Sequence, residues 1–203
     1  MRGLLLKDCY TVVKQMKIML IMMVVFACLP GYSLAAFAII YGAMLPMVAL
    51  AYDERSKWDQ LAVMMPYSVK EIVISKYVFG ILAIFTASVL SLTAQTVLGL
   101  IKGTGVQAGE LISILAVTCV GILFLSLTMP VIFQMGVEKG RLVFMIMMFG
   151  IFFAVIALED RLDIFVSRIK HPEFLFAGFL LFTCAVFFLS MPLSIAAYRK
   201  KNR

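Results

Sequence analysis

Side chains that catalyse reactions or bind metals are few in this sequence, and they are not spaced for either task. The one histidine, His171, precedes Pro172, and a lone histidine of this kind is more often solvated surface than a metal ligand. The four cysteines are scattered, which fits neither a disulfide framework nor a metal site. The sequence has no GxxxxGKS/T phosphate loop. We therefore predict no catalytic residue, no metal site, no enzymatic activity and no cofactor bound by this chain.

The composition is that of a membrane protein. Of the 203 residues, 64% are hydrophobic and 14% are charged, and the mean hydropathy is +1.06. Ordinary globular chains are roughly 45–50% apolar and about 25% charged. The net charge of +7 could indicate nucleic acid, but the basic residues flank apolar runs, where they anchor a chain in a bilayer. We predict an all-α polytopic membrane protein with one transmembrane domain, 1–203, and no nucleic-acid partner.

Six apolar runs are candidates for transmembrane helices. They lie at 18–29, 32–52, 77–101, 111–135, 142–158 and 174–198. If all six cross, fourteen Lys and Arg residues lie on one side of the membrane and four on the other. The positive-inside rule then places both termini in the cytoplasm. If 18–29 did not cross, the split would be ten against eight, so the charges favour six spans.

The first apolar run is short, and the segment before it is amphipathic. Twelve residues, 18–29, make a helix of about 18 Å, so a signal peptide, a re-entrant piece and a span continued from the preceding helix are all considered. Residues 1–17 have helical periodicity. One face carries Leu5, Cys9, Val12 and Met16, and another carries Lys7, Thr11 and Lys14. This pattern predicts an interfacial helix, with a plain cytoplasmic extension as the alternative.

The polar stretch Asp53–Lys76 has the features of a partner-binding loop. Trp58, Leu61, Ala62 and Met65 recur at i, i+3, i+4 and i+7. This spacing predicts a short amphipathic helix over 54–65, which the following proline ends. Ser68 and Glu71 have the spacing of a capping box, which starts the next helix. The 54–65 helix could dock on a soluble partner or rest on lipid headgroups, and the sequence leaves both open.

The second to sixth runs contain no Asp, Glu, Lys, Arg or His, so we expect no ion-coupled transport through them. The candidates for a substrate path are Ser88, Ser91, Gln95, Met148, Phe149 and Phe152. Interhelical hydrogen bonds are the alternative for the polar three, and lipid contact is the alternative for the others. The pairs Ala38/Gly42 and Gly150/Ala154 permit close helix approach and hint at a dimer. An amphipathic segment at 159–173 could cap the external mouth or lie on the outer leaflet.

Three segments carry a resemblance to a known family. They are MRGLLLKD at 1–8, DERSKWD at 53–59 and MPYSVKEIVISKY at 65–77. In this order, with six spans, they resemble permeases of the ABC-2 type. The similarity is to a Gram-positive branch that includes the exporters of phenol-soluble modulins, which are amphipathic peptide toxins.

The resemblance implies a type V ABC exporter-like fold and a role for each part. Helix 1–17 would be the connecting helix, 54–65 the coupling helix that docks on an ABC ATPase subunit, and 159–173 the external gate. The ATPase-coupling residues would be Glu54, Arg55, Lys57, Trp58, Asp59, Leu61 and Met65. ATP and Mg would bind to the ATPase, and a second permease copy, identical or different, would complete the assembly.

The implied function is export of an amphipathic or hydrophobic cargo, such as a toxin or antimicrobial peptide, across the bacterial plasma membrane. The alternative is an ATP-independent channel, or a regulatory module that binds a soluble partner through the 53–76 loop. Dependence on ATP hydrolysis separates these two functions.

Overall fold

The computed structural model describes residues 2–29, 32–64, 68–101, 108–168 and 172–201, and in these ranges it contains helices and short turns but no strand. The helices are α1 (Arg2–Gln15), α2 (Lys17–Cys28), α3 (Tyr32–Arg55), α4 (Trp58–Met64), α5 (Val69–Ile101), α6 (Ala108–Met135), α7 (Val137–Arg168) and α8 (Pro172–Lys201). The predicted all-α class is therefore confirmed for the described part of the chain.

Several of these helices are suited to cross a bilayer. Within the described residues, α3, α5, α6 and α8 are long and apolar enough, and the number rises to five if α1 and α2 form one bent span. The bend between α1 and α2 is 82°. These helices indicate a multi-pass membrane protein, as predicted. The crossing by α7, the total of six spans and the cytoplasmic position of both termini stay predictions.

The five long helices, α3, α5, α6, α7 and α8, all extend beyond the predicted spans. Helix α3 continues past 52 to Arg55, and α5 begins at Val69, well before 77. The early start of α5 has a local cause, because Glu71 Oε2 accepts from the Ser68 backbone N–H at 3.0 Å and the Glu71 N–H donates to Ser68 Oγ at 3.2 Å. This is the predicted capping box. Helix α7 runs on from 142–158 through 168, so the first part of 159–173 is continuous with it, and 169–171 lie outside the described residues.

The buried face of α1 differs from the predicted one by about one residue. Its buried side chains are Leu4, Asp8 and Val12, and Met16, just after the helix, is buried as well. Cys9, predicted on that face, is exposed. The physical reason is Asp8, whose carboxylate pairs with a buried lysine of α5 and so turns this side of α1 inward.

The centre of the bundle is formed by α3, α5 and α6, which approach closely at glycines. A Cβ at Gly42 would lie 3.0 Å from both the Ala83 carbonyl oxygen and Ala87 Cβ, and a Cβ at Gly80 would lie 2.7 Å from Leu125 Cδ1. The Ala38/Gly42 pair therefore serves contact between α3 and α5 inside one chain and gives no indication of a dimer. A Cβ at Gly150 would meet nothing within 4 Å, so that face of α7 is open among the described residues.

Helix α8 is attached to the centre by a buried group of hydroxyls. The Tyr77 hydroxyl on α5 contacts Ser190 Oγ and lies 2.7 Å from Ser194 Oγ, both on α8. Ser190 Oγ also donates to the Ser126 carbonyl of α6 at 2.5 Å. The ring of Tyr77 meets Phe187 edge to face at 5.6 Å between centroids. These contacts hold α5, α6 and α8 together at one level.

Candidate functional site

The candidate site is one end of the bundle, which we call the α4 end. It comprises α1, the last turn of α3, α4, the first turns of α5 and the α6–α7 junction. It contains the loop that the sequence predicts to bind a partner. Charged side chains of several helices converge here, and each element is positioned by a distinct local feature.

A tight turn separates α3 from α4, so the predicted 54–65 helix is not one helix. Ser56 N–H still donates to the Tyr52 carbonyl at 2.9 Å, but Lys57 N–H shifts to the Glu54 carbonyl at 3.2 Å. Lys57 has φ 54, the left-handed conformation that ends many helices. Glu54 and Arg55 therefore belong to the end of α3, and Trp58 begins α4.

The short helix α4 presents an apolar outer face. Ala62 is buried against the bundle and Trp58 is half-buried, whereas Leu61 is 50% and Met64 84% exposed. The predicted stripe is thus divided, with Leu61 facing outward beside Met64. Met65 and the side chain of Asp59 lie outside what the structure describes.

Four charged side chains form a buried cluster under α4, which we call the four-charge cluster: Lys7 and Asp8 of α1, Asp53 of α3 and Lys76 of α5. Lys76 Nζ lies 2.7 Å from Asp8 Oδ1 and 2.5 Å from Asp53 Oδ2. Lys7 Nζ lies 2.7 Å from Asp53 Oδ1, 2.8 Å from Asp53 Oδ2 and 3.2 Å from Asp8 Oδ1. The Asp8 residue is only 1% exposed and Lys76 only 3%.

The charges of the four-charge cluster balance, with two ammonium groups and two carboxylates. Isolated charges are expensive to bury, and they persist in protein interiors when each has an opposite partner within hydrogen-bonding distance. One atom is incompletely satisfied, because Asp8 Oδ2 makes no hydrogen bond among the described residues. The cluster ties α1, α3 and α5 together where α3 leads into α4.

Sequence reasoning missed this cluster. Asp53 and Lys76 each lie one residue outside the predicted spans 32–52 and 77–101, yet both belong to helices that are long and apolar enough to cross a bilayer. The predicted spans themselves contain neither residue, but the helices that carry these spans continue into charged residues at the α4 end. A usable signal was the position of Asp8, four residues after Leu4 and four before Val12, on the side of α1 that is otherwise apolar.

Two further contacts position the α4 end. Lys7 Nζ lies 4.3 Å from the centroid of the Trp58 ring, a cation–π distance. On the other side of α3, Glu54 Oε2 accepts a hydrogen bond from the Val137 backbone N–H at 3.1 Å. Gly136 adopts φ +89 just before α7, and a Cβ there would lie 3.2 Å from Glu54 Oε1. Glu54 is thus a cap for α7 as well as a predicted coupling residue.

Two clefts open beside the last turn of α3. One, of about 560 Å³, lies between Arg55 and the start of α7, where Glu138, Lys139 and Arg141 line it. The other, of about 460 Å³, lies between α1 and α3 and is lined by Lys7, Tyr52 and Trp58 among others. The α4 end therefore combines an apolar protrusion, Leu61 and Met64, with two clefts that charged side chains help to line. An apolar centre with charged groups around it is typical of a protein-binding surface.

The predicted path residues lie apart from this end. Gln95 Nε2 donates to the Leu29 carbonyl at 3.0 Å, and Ser88 Oγ donates to the Ile84 carbonyl of its own helix at 2.6 Å. Ser91 Oγ is buried without a hydrogen bond among the described residues. These bonds fit the interhelical alternative for Gln95.

The predicted path residues of α7 lie on a different helix surface. Met148 is half-buried and Phe149 is exposed, while the side chain of Phe152 lies outside the described part. Among the described residues, α7 packs on α3 and α6 and no close packing on α5 is seen, so the structure does not bring the two sets of candidates together there. Their role in a path stays a prediction.

Comparison with known proteins gives one match. The family model described as ABC-2 family transporter protein matches residues 3–199, which is nearly the whole chain. No curated protein and no solved structure matches the chain. Among the described residues, no group of three or more His, Cys, Asp and Glu is arranged to hold a metal ion.

Proposed function

The chain belongs to the ABC-2 family of transporter proteins, and on this premise we propose that it is the permease subunit of an ATP-binding-cassette exporter. Membrane chains of this family are typically non-catalytic and work with an ABC ATPase. ATP and Mg would then bind to the ATPase, and this chain would convert the movement of its partner into opening and closing of the spans.

The observation that carries the proposal is the outward apolar face of α4. Leu61 and Met64 are exposed on a short helix held between two long ones, at the end of the molecule where charged groups concentrate. Exposed apolar side chains with a polar surround are the usual centre of a protein-binding surface. We infer that Leu61 and Met64 enter a groove of the ATPase, while Arg55 and Lys57 contribute to the polar rim.

The connections of α4 suit a coupling role. It follows α3 after a two-residue turn and precedes α5 by four residues, so force on α4 acts on two spans at once. The last turn of α3 is bonded to α5 through Asp53 and to α7 through Glu54. A displacement of α4 therefore reaches three long helices through short, direct contacts.

The orientation follows from the basic residues. Most Lys and Arg, including those of the α4 end, are on one side in the six-span topology, which places this end in the cytoplasm, where an ATPase is found. We propose the bacterial plasma membrane as the location. The 159–173 segment, at the opposite end of α7, is then the external gate.

The cargo that fits this chain is amphipathic or apolar. The spans provide no fixed charge in their middle portions to pair with an ionic substrate. A peptide toxin or antimicrobial peptide is the cargo implied by the resemblance to exporters of phenol-soluble modulins. A second permease copy would form the other wall of the path, with the exposed Phe149 of α7 available to it.

The test is co-purification of this chain with a candidate ABC ATPase, followed by ATP hydrolysis in lipid. We expect a stable complex, and we expect L61S combined with M64S to weaken association by about tenfold or more, because anchor side chains of an interface dominate its affinity. The matched control is L6S on α1, which removes a leucine outside α4 whose exposed fraction, 75%, lies between the 50% of Leu61 and the 84% of Met64.

Each result decides the proposal. Loss of association in the α4 variant but not in L6S supports it. Equal association in both variants would refute docking through α4, and no association of the wild-type chain with any ABC ATPase would favour the ATP-independent channel or regulatory module.

A further inference from the structure

Lys7 contacts three separate elements of the α4 end at once. Its Nζ bonds both carboxylate oxygens of Asp53 on α3, lies 3.2 Å from Asp8 on its own helix, and lies 4.3 Å from the Trp58 ring centroid on α4. We propose that Lys7 is the positioning residue that ties the orientation of α4 to the buried Asp53–Lys76 pair between α3 and α5. This inference deepens the proposed function and rests on it for its biological meaning.

The geometry gives Lys7 a role that the other cluster members lack. Lys76 is buried, and its partners among the described residues are carboxylates, whereas Lys7 has 23% of its side chain exposed and lies between the cluster and the solvent-facing helix. Among the described side chains of α4, Trp58 is the one placed against a charged group of another helix. Lys7 is thus the direct contact between α4 and the four-charge cluster.

Because the charges of the cluster balance only with Lys7 in place, the contact between Lys7 and Trp58 couples movement of α4 to the cluster. With Lys7 in place, two ammonium groups neutralise two carboxylates. If Trp58 moved and Lys7 followed it, Asp8 and Asp53 would share Lys76 alone, and a net negative charge would remain in a buried site. A shift of α4 is therefore costly unless α1, α3 and α5 rearrange with it. A compact ammonium on a flexible stem suits a contact that must be kept while helices move.

The sequence provides both a probe and a control. Trp58 is the only tryptophan of the chain, so a fluorine label on tryptophan reports from α4 alone. Lys14, also on α1, lies 4.7 Å from the Tyr10 ring centroid, and this cation–π pair is outside the four-charge cluster. K14M therefore removes the same kind of interaction from the same helix without touching the cluster.

The experiment is fluorine NMR of the fluorotryptophan-labelled chain in lipid nanodiscs. We expect K7M to shift the Trp58 resonance by more than its linewidth, K14M to leave it in place, and K7R to restore the wild-type position. D53N removes the carboxylate that Lys7 bonds, so it should also shift the resonance, and in the K7M background it should add nothing. An unshifted resonance in K7M, or an equal D53N shift with and without Lys7, would overturn the inference.

A second arm separates this inference from the proposed function. Unlabelled ABC ATPase is added to the labelled chain, and ATP hydrolysis is measured alongside the resonance. If the ATPase binds wild type and K7M equally but the rate of ATP hydrolysis in the complex changes only in K7M, Lys7 positions α4 for coupling. If no ATPase binds, the exporter role fails, while the NMR of the chain alone still decides whether Lys7 links α4 to the cluster. Equal rates of ATP hydrolysis in the wild-type and K7M complexes would refute the coupling role.

Discussion

Glu54 and Val137 join parts of the chain that are 83 residues apart, through a 3.1 Å hydrogen bond from the Val137 backbone N–H to Glu54 Oε2. Val137 is the first residue of α7, where the leading N–H groups have no partner within the helix. The carboxylate satisfies one of them and lies at the positive end of the helix dipole. Because Glu54 follows Asp53 directly, the last turn of α3 is held by α1 and α5 on one side and by α7 on the other.

Removing this cap should loosen the start of α7. We expect E54A to destabilise the first turn by about 1 kcal/mol, the usual effect of losing a capping side chain, and E54Q to have a smaller effect because its amide oxygen still accepts. Hydrogen exchange of the amides of 137–140, measured by mass spectrometry in nanodiscs, should be faster in E54A. R55A changes the neighbouring side chain and serves as the control; equal exchange in E54A and R55A would contradict the cap.

Gly136 is required by the backbone at the α6–α7 junction. Its φ of +89 is unfavourable for residues with a Cβ, and an added Cβ would lie 3.2 Å from Glu54 Oε1. We expect G136A to destabilise the protein by about 1–2 kcal/mol. The matched control is G150A in α7, where a Cβ meets nothing within 4 Å and alanine favours the helix. Thermal unfolding in one detergent should rank G136A below wild type and G150A at or above it; the reverse order would refute the strained turn.

The parts of the fold that the sequence predicts depend on local spacing. Ser68 and Glu71 form the expected capping box because both partners belong to the same turn, three residues apart. The all-α class is also predicted from a local property of the sequence, the long apolar runs. The apolar stripe of α4 is predicted only in part. A seven-residue helix has one buried face, and the turn at Lys57 determines which side chains lie on it. Leu61 consequently faces outward.

The four-charge cluster could not be predicted from spacing. Lys76 bonds Asp53 at a separation of 23 residues and Asp8 at a separation of 68, so the pairs exist only after α1, α3 and α5 have packed. Their charges also lie next to predicted span boundaries, where basic and acidic residues are normally solvated. The contact of Lys7 with Trp58 has the same origin, because it depends on the direction in which α4 leaves α3.

The four-charge cluster should behave as one unit in stability measurements. K76M leaves two carboxylates with Lys7 alone, and removing one partner of a buried pair typically costs about 3–5 kcal/mol. D8N restores neutrality in that background, since Lys7 and Asp53 remain directly bonded. We therefore expect K76M/D8N to unfold at a higher temperature than K76M.

A double-mutant cycle measures the size of this effect. The coupling between Lys76 and Asp8 should be about 1–3 kcal/mol, the range for residues that share one network. Strictly additive losses in K76M, D8N and the double variant would show that the two side chains are independent. K70M, which removes a solvent-exposed lysine of the same helix, is the control and should leave the unfolding temperature unchanged.

Tyr77 should stabilise the junction of α5 and α8 through its hydroxyl. Y77F keeps the ring against Phe187 but leaves Ser194 without this partner, while Ser190 retains the Ser126 carbonyl. We expect a loss of about 1 kcal/mol, as for one or two hydrogen bonds within a membrane protein. S194A should add little to Y77F, because Y77F has already removed the tyrosine hydroxyl that contacts Ser194.

Thermal unfolding of the two single variants and the double variant tests this, with Y10F on the exposed face of α1 as control. A Y77F protein as stable as Y10F would show that the hydroxyl contributes nothing to the junction.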